Sequence, residues 1–151
     1  MRRLLLITLV LLGMLAGCAT APHPAPGKVP LGDEQRRLAE LFRGTPVVFA
    51  MQSDGSLRVE VPLRFSFDHG ASVVKPPLAA VLDRLALSQR TQPTRLHVAA
   101  PADPGARNAA VLARDRTAST RDYLAAHGIA PTRLVAVAST SSDQIEIVVV
   151  D

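Results

Sequence analysis

Residues 95–138 read RLHVAAPADPGARNAAVLARDRTASTRDYLAAHGIAPTRLVAVA. After the break at Pro93, RLHVAA (residues 95–100) is β-rich and predicts a strand. Residues 106–127 predict a long helix, ended by Gly128 in the manner of a left-handed C-cap. Residues 133–138 return to a strand pattern. A strand, a long helix and a strand in this order make a crossover unit, which packs its helix on one face of a sheet with a right-handed connection.

The flanking sequence extends the pattern on both sides. Residues 145–150 (IEIVVV) predict a last strand after the polar link STSSDQ, residues 139–144. Upstream, Pro76-Pro77 starts a helix whose Leu78, Val81, Leu82 and Leu85 form an i, i+3, i+4, i+7 stripe. Before it, residues 47–51 and 57–63 are β-rich runs joined by QSDGS, where Asp-Gly signals a hairpin turn. Leu57, Val59, Val61, Leu63, Phe65 and Phe67 alternate with polar residues, which predicts one buried and one polar face through to Phe67. Residues 33–44 (DEQRRLAELFRG) predict a short N-terminal helix with Leu38, Leu41 and Phe42 on its apolar side. The expected fold is α+β: a βαβαββ domain over residues 45–151, with a mixed sheet and helices on one face, preceded by the short helix and a β-hairpin.

Composition narrows the function. The chain has 151 residues with no Trp and one Tyr, so the core is aliphatic and a base-stacking platform is not expected. The 17 Lys and Arg exceed the 13 acidic residues by four, and by two once Arg2 and Arg3 are set aside. The basic residues are scattered, so no nucleic-acid partner is expected. One cysteine excludes a disulfide or a cysteine-based metal cage within the chain. His69, His97 and His127 lack ligand spacing, His23 stands alone among prolines, and residues 139–142 have no nucleophile-elbow glycines. Neither a metal, another cofactor, nor an enzyme activity is expected.

The N-terminus carries Arg2 and Arg3, then the apolar run LLLITLVLL, then small residues, the three parts of an export signal over residues 1–17. The run is too short to span a bilayer. Leu15-Ala16-Gly17-Cys18 resembles the lipobox of bacterial lipoproteins, which implies a diacylated Cys18 (palmitate-type chains) as the first mature residue. By the same resemblance, Ala19 implies sorting to the outer membrane, with the protein facing the periplasm. Thiolate chemistry suits the acceptor role, and two or three acyl chains give a stable anchor. Residues 18–32 are rich in Pro and Ala, an extended tether of roughly 40 Å at about 3.1 Å per residue.

FSFDHGASVVKP (residues 65–76), RLHVAAPAD, the helix from Leu112 with Gly128-Ile129 and Arg133-Leu134 behind it, and IEIVVV together resemble the OmpA-like C-terminal domain. The resemblance covers most of residues 57–150 and implies noncovalent binding of peptidoglycan. It further implies an aspartate and an arginine that hold the diaminopimelate of the peptide stem, here Asp103 and Arg116, with Asn108 standing near the family's asparagine. A carboxylate would accept from the ligand's ammonium, and a guanidinium would grip its carboxylate. Periodicity adds that Arg116 falls in the inward stripe of Ala109, Leu112, Ala113, Thr120 and Leu124, where either a protein acid such as Asp103 or a ligand has to meet it. A turn-forming Asp103 in a purely structural ion pair with Arg116 is the competing reading. The site departs from the family pattern: Ala100, Pro101 and Ala102 replace Gly, His and Thr, the segment to Arg116 is shorter, and residues 139–144 lack the usual Gly-x-Gly and Asn-Arg-Arg. The expected protein is thus an outer-membrane lipoprotein linking membrane to cell wall. The alternative is an envelope protein-interaction or assembly subunit that kept the fold and lost wall binding.

Overall fold

The computed structural model describes residues 27–141 and 143–151. The signal segment, Cys18 and the tether up to residue 26 lie outside the described residues. The elements are α1 (Leu31–Leu41), β1 (Val48–Met51), β2 (Leu57–Pro62), the single turn α2 (Leu63–Ser66), α3 (Pro76–Gln89), β3 (Arg95–Ala99), α4 (Ala109–Ala126), a 3₁₀ turn (Pro131–Arg133), β4 (Leu134–Ala136) and β5 (Gln144–Val150).

One mixed sheet has the order β1-β2-β5-β3-β4. Among the described residues its only parallel pair is β3 with β4, the two strands that α4 connects. The sheet has five strands because β2 serves both as the second hairpin strand and as the first strand of the βαβαββ series. Registry sets Val59 opposite Ile147 and Ile147 opposite Val98, with Leu57, Val149 and Leu96 in the next row. These residues are buried, and Leu78, Val81, Leu82 and Leu85 of α3 and Leu124 of α4 join them in one aliphatic core.

Four expectations are corrected. The period-2 pattern of residues 57–67 breaks at Pro62, which cannot donate to a ladder, and the chain turns helical: Phe67 N–H donates to Leu63 O at 3.0 Å. Ser66 is therefore buried and Phe65 half-buried, the reverse of strict alternation. The N-terminal helix begins at Leu31 instead of Asp33 and buries Leu31 and Leu38, while Leu41 is exposed. Lys28 pairs with Asp151 at 2.9 Å and the Val29 amide donates to Gln92, so the expected tether is fastened to the domain before residue 32. The long helix starts at Ala109, not at residue 106, and Ala109 is exposed.

α1 also protects an edge. Gln35 Nε2 donates to Phe49 O at 2.9 Å, taking a carbonyl that edge strand β1 would otherwise offer to a neighbouring chain.

The core places Leu124 at no exposure, whereas Val111 on the same helix is 47% exposed. Leu124→Ala should lower the unfolding free energy in urea by about 2–5 kcal/mol. Val111→Ala should change it by no more than about 0.5 kcal/mol.

Candidate functional site

Two tight turns with the same spelling meet beside the end of β3. Asp68-His69-Gly70-Ala71 closes with Ala71 N–H to Asp68 O at 3.0 Å, and Asp103-Pro104-Gly105-Ala106 closes with Ala106 N–H to Asp103 O at 3.1 Å. Each needs a left-handed residue at its third position, which Gly70 (φ 70°) and Gly105 (φ 74°) supply. Pro104 presets the second position of the later turn.

Arg116 reaches both turns from the inward face of α4. Its Nε donates to Ala71 O at 2.8 Å, Nη1 to Pro101 O at 3.1 Å, and Nη2 to Asp68 O at 3.1 Å. Nη2 also meets both Asp103 carboxylate oxygens at 3.0 Å. The guanidinium lies 5.2 Å from the centre of the Phe67 ring and has no solvent exposure. Next to it, Thr117 Oγ1 accepts from the Ala100 amide at 3.1 Å, which fixes α4 against the end of β3.

Asp103 is 8% exposed and completes the junction, because its Oδ2 accepts from the Gly70 amide at 2.6 Å. His69, at the mouth, holds Nδ1 3.5 Å from the same oxygen. Burial pushes the Asp103 carboxyl up, but the Gly70 amide and the Arg116 guanidinium more than offset it, so the group sits below its ordinary 3.8.

The expected partnership of Asp103 and Arg116 is present. The guanidinium, however, has all three nitrogens directed at protein oxygens. Asn108 is exposed and precedes α4 without a side-chain capping bond. It lines a shallow hollow of about 420 Å³ with His69, Gly70, Asp103 and Asp115. On the other side of His69, a cleft of about 430 Å³ is lined by Arg64, Asp68, Lys75, Asp103 and Asp143. Lys75 bridges this cleft's wall, pairing with Asp68 Oδ1 at 2.9 Å and donating to Arg64 O at 3.1 Å. The sequence reading gives Arg64 and Gly70 no site role and weighs His69 only as a metal ligand, although Gly70 is legible in the repeated Asp-x-Gly-Ala spelling.

No protein-family model and no curated protein matches the sequence. Solved structures do match. The cell wall anchor of the T6SS from Pseudomonas aeruginosa superposes with a TM-score of 0.62 at 18% identity, covering 76% of this chain and 94% of that one. The periplasmic domain of MotB gives 0.61 at 15% identity, covering 89% of each chain. The peptidoglycan-associated lipoprotein from Burkholderia pseudomallei gives 0.50 at 16% identity, covering 60% and 88%. The fold is OmpA-like. In this OmpA-like domain the Asp103 and Arg116 junction lies where α4, the end of β3 and the loop before α3 converge.

Removing Arg116 strands a buried carboxylate and three carbonyls, so Arg116→Gln should cost about 3–5 kcal/mol in chemical unfolding. Asp103 has a folded pKa below its ordinary 3.8, so its stabilisation is fully present well above 3.8 and is lost as pH falls through the folded value. Thermal unfolding of wild type and Asp103→Asn should accordingly differ at pH 7 and converge in strong acid. A gap that stays constant to pH 2 would contradict the depressed pKa.

Proposed function

We propose that the protein is an outer-membrane lipoprotein, anchored through an acylated Cys18, whose periplasmic OmpA-like domain binds peptidoglycan noncovalently and links membrane to wall. The observation that carries the reading is Asp103, a mostly buried carboxylate charged by Arg116 and Gly70, at a cleft lined by charges of both signs. Such a site suits the ammonium and carboxylate of a diaminopimelate side chain. The names of the similar structures, a cell wall anchor and a peptidoglycan-associated lipoprotein, point the same way. Asp103 accepts the ligand's ammonium, Arg116 holds Asp103 and both turns in place, and Asn108 borders the adjoining hollow as a further polar contact. The role is binding, with no chemical step.

A second reading, an envelope assembly subunit that has lost wall binding, is favoured by one observation: Arg116 has no solvent exposure and each of its three nitrogens already meets a protein oxygen. Sedimentation with purified sacculi separates the two. Wild type should pellet with the wall and Asp103→Asn should lose about tenfold in affinity. Wild type remaining in the supernatant would favour the assembly subunit instead. Radiolabelled palmitate should be incorporated by wild type and not by Cys18→Ala; equal labelling would refute the anchor.

A further inference from the structure

Resting on the peptidoglycan reading, the cleft at Asp103 poses a problem of charge. A diaminopimelate terminus presents an ammonium and a carboxylate on one carbon. Asp103 answers the ammonium, but Arg116 cannot answer the carboxylate: it has no exposure and its three nitrogens already meet four protein groups. Another cation has to face the ligand.

Three basic residues line the cleft: Arg64, His69 and Lys75. Lys75 is bound to Asp68 at 2.9 Å and to the Arg64 carbonyl at 3.1 Å. His69 faces Asp103 Oδ2 at 3.5 Å, so a protonated ring there competes with the ligand's ammonium for that carboxylate. Arg64 differs from both. Its side chain is exposed and, among the described residues, makes no ion pair. It is nevertheless not loose, because its guanidinium carbon lies 4.7 Å from the centre of the Phe65 ring. A stacked guanidinium keeps its fork of N–H donors available at small ordering cost.

We infer that Arg64 is the carboxylate-binding residue of this cleft and makes the domain selective for stem peptides whose diaminopimelate carboxylate is free. Placement on the one-turn helix α2 explains how it gets there. Had the strand run on past Pro62, the alternation would have continued; instead the turn at Leu63–Ser66 swings residue 64 onto the cleft wall beside Phe67 and Asp68. Work is thereby divided between two arginines, one that shapes the site from inside and one that reads the ligand from outside.

The test uses the full-length protein in detergent and two preparations of sacculi, one with free and one with amidated diaminopimelate carboxylates. Wild type should prefer the free acid by about tenfold, the effect of one charge-assisted contact. Arg64→Gln should lose that preference by weakening only the free-acid interaction, Arg64→Lys should recover part of it, and the unfolding midpoint should not move. An Arg64→Gln protein that still prefers the free acid, or a wild type that binds both preparations equally, overturns the inference while leaving wall binding intact. A wild type that binds neither overturns the peptidoglycan reading as well, and a preference lost only in Asp103→Asn assigns selectivity to that residue alone.

Discussion

The buried guanidinium of Arg116 is the constraint around which one end of the molecule is built. Desolvating such an ion is costly unless its hydrogen bonds are all made, and a partial set would be worse than an apolar side chain of similar volume. Here each of the three nitrogens is met, by acceptors from distant parts of the chain: the carbonyls of Asp68 and Ala71, that of Pro101, and the Asp103 carboxylate. Two glycine turns must close in register for those oxygens to converge. The arginine therefore specifies the loops as much as the loops accommodate the arginine. Lysine, with one charged atom, could not span three separate acceptors in a plane.

That constraint explains the division of roles at the site. A carboxylate fixed by Gly70 and Arg116 stays ionised and keeps its orientation, which is what an ammonium ligand requires of a receptor. Because the fixing arginine is sealed off, the exposed charges around the cleft are free to set selectivity. On the proposed function, preorganisation inside and recognition outside are separate tasks carried by different residues. Attachment through a lipid and a short proline-rich lead would then bring that cleft to the wall, with α1 fastened along the edge of the sheet.

Much of this was legible in the sequence because it rests on local pattern. The stripe of Leu78, Val81, Leu82 and Leu85, the Asp-Gly hairpin and the strand at residues 145–150 all follow from periodicity and turn chemistry, and each lies where expected. Arg116 stood out as a charge in the inward stripe of its helix, which calls for an acid or a ligand, and Asp103 as its partner came from the resemblance to the OmpA-like pattern. What the pattern concealed was non-local. Nothing near Arg116 announces Asp68 or Ala71, which are 48 and 45 residues away. Pro62 also defeated the alternation of residues 57–67, since period-2 spacing persists in the letters after the backbone has left the ladder. The emptied family motif, Ala100-Pro101-Ala102, read as a loss. In the structure, those positions give Arg116 and Thr117 their backbone partners, Pro101 O and the Ala100 amide.

The most direct test of the account watches the site itself. Backbone and arginine side-chain resonances would be followed as a diaminopimelate-containing stem peptide is added. The Gly70 amide, which donates to Asp103, and the Arg64 Nε–H should shift together and saturate at one affinity, while the Arg116 Nε–H stays in its buried position. Saturable shifts confined to another surface, or no shifts at Gly70 and Arg64 while the protein pellets with the wall, would contradict it.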